Sequence, residues 1–280
     1  MARNGRALAV SVCVLAVGAA ATAPLATAGK GDGARKQARS SIIGGANVAN
    51  FSNWPYAAVV LRKGQLHCGG SVIAPTKVLT AAHCVDGFNP ANLTVVTGRP
   101  DLRNRAVGLD IRVAAVAPHP DYHETQIHDV GVITLAGATN APSVKLPTPE
   151  QGPSLALPGQ TLRVAGYGAR SPFGFGLSKQ LRETVEIVRA ERRCRRAYRR
   201  IFLPQTMICA LGLRIKRYGR PAIHTTACSG DSGAALVADL PTGAVAAGTV
   251  SFGGAFCGIS AAPTVYSRVS DSLPFILGQL

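Results

Sequence analysis

The chain has 280 residues, 47% of them hydrophobic and 16% charged, which excludes a chain too polar to bury a large core and exceeds the usual size of one small domain. The formal charge is +16, and residues 1–41 hold six Lys/Arg and one Asp, so the remainder keeps 24 basic against 13 acidic residues, a net +11. From Ala156 onward there are 16 basic and 6 acidic residues, so +10 of that charge lies in the second half and points to two units.

At the N-terminus, Arg3 and Arg6 precede an apolar run from Ala7 to Ala21 and the small residues Ala26-Thr27-Ala28. This is the layout of a secretory signal peptide over residues 1–28, with cleavage expected after Ala28. A membrane anchor is the alternative, but the run falls short of the roughly 20 residues a span needs, and nothing comparable follows. Gly29 to Ser41 is polar and basic without apolar periodicity, and reads as a propeptide over residues 29–41. Export implies an oxidising, extracellular location. Of seven cysteines, Cys13 falls in the signal segment, leaving Cys68, Cys84, Cys194, Cys209, Cys228 and Cys257 for three bridges. No C-x-x-C pair or His/Cys cluster with zinc spacing occurs, so no metal and no cofactor are expected.

From Ile42, strand-like runs such as Thr94-Val95-Val96-Thr97 and Ile111-Arg112-Val113 alternate with turn signals such as Arg62-Lys63-Gly64, Asp86-Gly87 and Pro158-Gly159. With 31 Gly and 18 Pro spread among them, the pattern is all-β. Ala138 to Pro158 is rich in Pro, Ser, Thr and Gly and reads as the link between units spanning 42–155 and 156–280. Ala190 to Arg200 is the convincing helix, with Ala, Glu and Arg and no Gly or Pro, and a shorter helix is expected after Val269.

Three segments carry chemistry. His83 stands beside Cys84 in Leu79-Thr80-Ala81-Ala82-His83-Cys84, after an apolar strand, although five other histidines offer alternatives. Asp129 heads the apolar run Val130-Gly131-Val132-Ile133-Thr134-Leu135, where a carboxylate is partly buried and needs a donor or charged partner; a turn aspartate is the plainer reading. In Cys228-Ser229-Gly230-Asp231-Ser232-Gly233, glycines let the backbone fold tightly round a serine and aim peptide N–H groups at one point, as a developing oxyanion requires.

Ile42-Ile43-Gly44-Gly45, Thr80-Ala81-Ala82-His83-Cys84, Asp129-Val130-Gly131-Val132 and Gly230-Asp231-Ser232-Gly233 together resemble the trypsin-like (chymotrypsin-family) serine proteases in order and spacing, with weaker echoes from Trp54-Pro55-Tyr56 to Val265-Tyr266-Ser267-Arg268-Val269. The resemblance spans Ile42 to about Phe275. It implies an all-β fold of two six-stranded antiparallel β-barrels, with His83, Asp129 and Ser232 meeting in the cleft as a catalytic triad. It further implies an oxyanion hole from the N–H groups of Gly230 and Ser232, and disulfides Cys68–Cys84, Cys194–Cys209 and Cys228–Cys257. Activation would free the amine of Ile42 to pair with Asp231. Here the chain departs from the family, because Ser40-Ser41 precede Ile42 and a cut after Arg39 would leave two extra residues.

By the same likeness Thr226 lies at the bottom of the specificity pocket, with Ser251, Phe252, Gly253 and Thr264 as walls. A neutral hydroxyl cannot offset desolvation of a substrate Arg or Lys, so small or medium uncharged side chains are expected. Ala234-Ala235 replaces the Gly-Pro common in the family, and the Cys209 to Cys228 loop is longer than usual. The stretch from Arg99 to Leu109, where calcium-binding relatives carry acids, has Asp101 as its only acid, so no calcium is expected there.

Arg189 to Arg200 holds seven arginines in twelve residues. It reads either as a solvated helix face or as an anchoring surface for an acidic polymer or anionic surface. The expectation is therefore a secreted, monomeric serine endopeptidase acting on proteins or peptides; a weakly active protease-like binding module and an esterase are the alternatives.

Overall fold

The computed structural model describes residues 42–122, 126–259 and 262–280; the signal segment and propeptide expected over 1–41 lie outside the described residues. After the short β1 (Ala46–Asn47), six strands follow: β2 (Ala57–Arg62), β3 (Gln65–Ala74), β4 (Lys77–Thr80), β5 (Leu93–Thr97), β6 (Leu109–Pro118) and β7 (Gly131–Leu135). They close an antiparallel barrel in the order β2-β3-β4-β7-β6-β5. The β-branched Val60, Val72, Val78, Val95, Val132 and Ile133 are buried in it. Each such side chain contributes roughly 1.5–3 kcal/mol over an exposed one, and each suits the pleated backbone.

The second half adds β8 (Thr161–Gly166), β9 (Arg182–Val188), α1 (Glu191–Tyr198), β10 (Met207–Gly212), β11 (Arg214–Arg217), β12 (Arg220–His224), β13 (Ala235–Leu240), β14 (Gly243–Phe252), β15 (Thr264–Arg268) and α2 (Leu273–Leu277). Strands β9-β10-β15-β14-β13-β8 form the second six-stranded barrel, closed by the β8–β9 pairing, with β1 added on β9. The molecule therefore has the chymotrypsin-like architecture.

The two halves exchange their ends. Ile42 is buried in the core cluster of the second barrel, beside Leu162, Val164 and Leu236. Ile276 of α2 joins the cluster that holds Trp54, Val144 and the first-barrel strands. Disulfides link Cys68–Cys84, Cys194–Cys209 and Cys228–Cys257, closing separations of 16, 15 and 29 residues.

The basic helix is shorter than Ala190–Arg200, because Arg199 turns to φ 52° and a 3-10 turn follows over Arg199–Ile201. The long segment between Cys209 and Cys228 folds back as the hairpin β11–β12, pairing Ile215 with Ile223. A Cβ on Gly44 would meet Ile215 Cδ1 at 2.6 Å, so this hairpin sits tightly over the segment after Ile42.

Candidate active site

β4 and β7 pair antiparallel with Thr80 opposite Gly131, so the residues just after β4 and just before β7 emerge side by side. His83 lies in the 3-10 turn Ala82–Cys84 after β4, and Asp129 precedes β7. The Cys68–Cys84 bridge ties that turn to β3. Asp129 is wholly buried, while His83 keeps 29% of its side chain exposed.

A buried carboxylate is costly unless each oxygen is met by donors. Asp129 Oδ1 accepts the peptide N–H of His83 at 2.9 Å, and Oδ2 lies 2.7 Å from His83 Nδ1. The hydroxyl of Ser251, from β14 of the other barrel, donates to Oδ2 at 2.5 Å. Holding the Nδ1 proton on the carboxylate side leaves Nε2 as the proton acceptor. Ser251 was expected only as a pocket wall; it also orients Asp129, and no local motif announces that contact across 122 residues.

Ser232 sits in a turn that only glycines permit on either side. Gly230 and Gly233 have φ of 91° and 84°, and a Cβ on Gly233 would stand 2.2 Å from Thr80 Oγ1 and 2.6 Å from Gly69 O. The Ser232 carbonyl accepts Gly69 N–H at 2.8 Å and lies 3.8 Å from Sγ of Cys84, the residue after His83. Among the described residues no backbone carbonyl accepts from the N–H of Gly230 or of Ser232.

Between them, Asp231 turns its carboxylate inward, where Gly168 N–H donates at 2.7 Å and Cys228 N–H at 2.9 Å. Burial outweighs those two bonds and pushes its pKa up to about 7. Two peptide N–H groups are thus what favours its charged form.

Next to Ser232 opens a cavity of about 210 Å³, lined by Ser251, Phe252, Gly253, Cys257 and Thr264 among others, with no acidic side chain among the described residues of its wall. Thr226 stands behind that lining, its hydroxyl 2.6 Å from the Thr264 hydroxyl. The Cys228–Cys257 disulfide frames the mouth. A group the sequence reading passed over lies deeper: Glu186 of β9 is wholly buried and accepts Ala227 N–H at 3.1 Å.

Cys68, His83 and Cys84 bring three donor atoms within 4.8 Å of one another, but the two sulfurs are bonded to each other and offer no thiolate. In the Arg99 to Leu109 segment, Arg103 Nε donates to Asp101 Oδ1 at 2.9 Å.

Two antiparallel barrels with a His–Asp pair at one strand pair's end and a Gly-Asp-Ser-Gly turn beside a cavity define a serine endopeptidase. The chain belongs to the trypsin family, whose model matches residues 42–276. It is 31% identical over 241 residues to a trypsin of Saccharopolyspora erythraea, covering 85% of this chain and 98% of that protein. It is also 31% identical to Trypsin Blo t 3 of Blomia tropicalis (86% and 87% covered) and 33% identical to Serine protease 57 of Rattus norvegicus (85% and 82% covered). The chain is accordingly a hydrolase whose substrates are proteins or peptides. No helix of the described residues is long and apolar enough to cross a membrane.

Proposed function

We propose that the protein is a secreted endopeptidase in which Ser232 Oγ attacks the peptide carbonyl, His83 takes its proton and returns it to the leaving amine, and Asp129 holds the imidazole in register. The N–H groups of Gly230 and Ser232 receive the oxyanion, and water then resolves the acyl-enzyme. The observation that carries this reading is the buried Asp129 carboxylate, bonded at once to the His83 ring, the His83 backbone and Ser251 in the wall of a cavity that Ser232 also lines.

The acyl-side pocket takes small or medium uncharged residues, because Thr264 narrows it and no carboxylate faces into it. Cleavage before Ile42 would free an amine to pair with the Asp231 carboxylate, whose pKa is raised by burial. Residues 1–28 and 29–41 are read as signal peptide and propeptide, and 42–155 and 156–280 as the two barrel halves of one peptidase domain. The arginine-rich helix is read as an anchor for anionic polymers.

The test is labelling of the secreted, processed protein with an organophosphate serine probe, combined with N-terminal sequencing. Stoichiometric labelling at Ser232, absent in Ser232→Ala, with Ile42 as first residue is expected. An unlabelled processed protein that binds peptides without cutting them would leave only the binding-module reading.

A further inference from the structure

A second cavity, of about 190 Å³, opens where β9, β10 and β15 meet the start of α1, and it shares no lining residue with the cavity beside Ser232. Phe202, Met207 and Ile208, all buried, and Leu157, 49% exposed, give it apolar walls. Two guanidinium groups border the same space, Arg189 just after β9 and Arg268 at the end of β15. Arg189 is the one arginine between Arg189 and Arg200 that is not exposed.

Both cations lack a counter-charge. An arginine carries five N–H donors. Among the described residues only Nη2 of Arg189 reaches an acceptor, the Leu211 carbonyl at 2.8 Å, and its Nε is buried with none. Arg268 likewise uses only Nη2, which donates to the Pro204 and Met207 carbonyls at 3.3 Å each. Neither arginine forms an ion pair among the described residues. The one acid in the lining, Glu191, is taken by Arg195 at 2.5 Å. Asp271, whose charge reaches Arg268, has its carboxylate 3.0 Å from His128 Nδ1. Burial lowers the pKa of both arginines, and for Arg189 the neighbouring Arg193 adds to it while Glu186 opposes it.

We propose that this cavity is a second ligand site, which seats the carboxylate of a small organic anion between Arg189 and Arg268 and its apolar tail against Phe202, Met207, Ile208 and Leu157. A guanidinium plane matches a carboxylate and holds it by charge-assisted bonds. Water would meet the open donors, but it would not offset two positive charges drawn away from bulk solvent. The apolar walls favour an anion with a tail over a bare inorganic one, and the volume limits that tail to about the size of a branched aliphatic side chain. This chemistry has two sources, a free organic acid and the C-terminal residue of a peptide such as a peptidase releases.

The test is calorimetric titration of the secreted Ser232→Ala protein at low salt with isocaproate, with its neutral amide, and with acetate, which has the charge without the tail. One isocaproate per chain is expected, and the amide and acetate should each bind about tenfold or more weakly. Arg268→Gln should weaken isocaproate binding by a similar factor. So should Leu157→Glu, which sets a carboxylate at the rim from an exposed position and serves if Arg268→Gln, short of two carbonyl bonds, fails to fold. Replacing the exposed Arg192, Arg196, Arg199 and Arg200 by Ala should leave binding unchanged, which separates the cavity from the basic helix face. The tripeptide Ala-Ala-Leu and its C-terminal amide distinguish the sources: an acid form that binds more tightly than isocaproate assigns the site to peptide ends, a weaker one to free acids, and both support it. Equal affinity for isocaproate and its amide, undiminished binding by folded Leu157→Glu, loss of binding in the four-arginine variant, or no saturable binding overturns the proposal. None of these outcomes depends on Ser232 being a nucleophile, so the endopeptidase reading stands or falls separately.

Discussion

Asp129 is wholly buried, so its geometry depends on three donors, one of which comes from the opposite barrel. Removing the Ser251 hydroxyl leaves a buried carboxylate one bond short, a loss of about 1.5–3 kcal/mol for a charged acceptor. Ser251→Ala is therefore expected to lower kcat about tenfold or more with a smaller change in KM, whereas Asp129→Asn, which reverses the preferred imidazole tautomer, should lower kcat by about 10⁴. Steady-state kinetics on one peptide substrate separates the two; equal effects would mean that Ser251 does more than orient the acid. His83, Asp129 and Ser232 are legible because each lies in a short motif whose neighbours carry its local geometry, such as the glycines round Ser232. Glu186 is not legible, because Thr184-Val185-Glu186-Ile187 alternates polar and apolar as a half-exposed strand would, and only the closure of the barrel decides that Glu186 faces inward.

At the scale of elements, α1 is held to the body by the Cys194–Cys209 bridge to β10, and it turns Cys194 inward while Arg192, Arg193, Arg196, Arg199 and Arg200 stay exposed. Glu191 spans one turn to Arg195 at 2.5 Å and neutralises one charge of the cluster. If the cluster anchors the protein to an anionic polymer, binding releases the polymer's counterions, so its affinity must fall steeply with salt. Replacing Arg195, Arg196, Arg199 and Arg200 by Ala is expected to shift elution from an immobilised polyanion to markedly lower salt with peptidase activity unchanged. Unchanged elution would assign the helix no anchoring role. The bridge itself closes a separation of 15 residues, so a Cys194→Ser, Cys209→Ser pair should cost about 3 kcal/mol in a denaturant titration. The helix was legible from composition, apart from its early stop at Arg199. The hairpin β11–β12 was not, because Arg214 to His224 carries mostly polar and basic residues and its few apolar ones, Ile215 and Ile223, find partners only across the turn.

The whole molecule carries a proton inventory that no single element explains. Two barrels were legible from short strands and punctuating turns, but the exchange of ends was not, since burial of Ile42 in one barrel and Ile276 in the other depends on docking of the halves. The second barrel encloses Asp231 and Glu186, with pKa values raised by burial to about 7 and about 8. In the unbroken chain both stay protonated at pH values where the unfolded chain has lost those protons. Their favourable contribution is full below the ordinary carboxylate values and is lost as pH rises through the folded ones. Each shift corresponds to a contribution on the order of 4–5 kcal/mol. Burial lowers the pKa of His67 and His119, which works in the opposite sense, but only below about pH 6.5, where free histidines charge. Between pH 6.5 and pH 8, the denaturation midpoint of the uncleaved Ser232→Ala protein should therefore fall, and Glu186→Gln or Asp231→Asn should each flatten part of that slope. Processing to Ile42 should reverse the Asp231 share: its carboxylate, paired with an ammonium, then contributes above its ordinary pKa, until the amine itself deprotonates. A midpoint that stays level across this window in the uncleaved protein would mean that neither carboxyl holds its proton in the folded state.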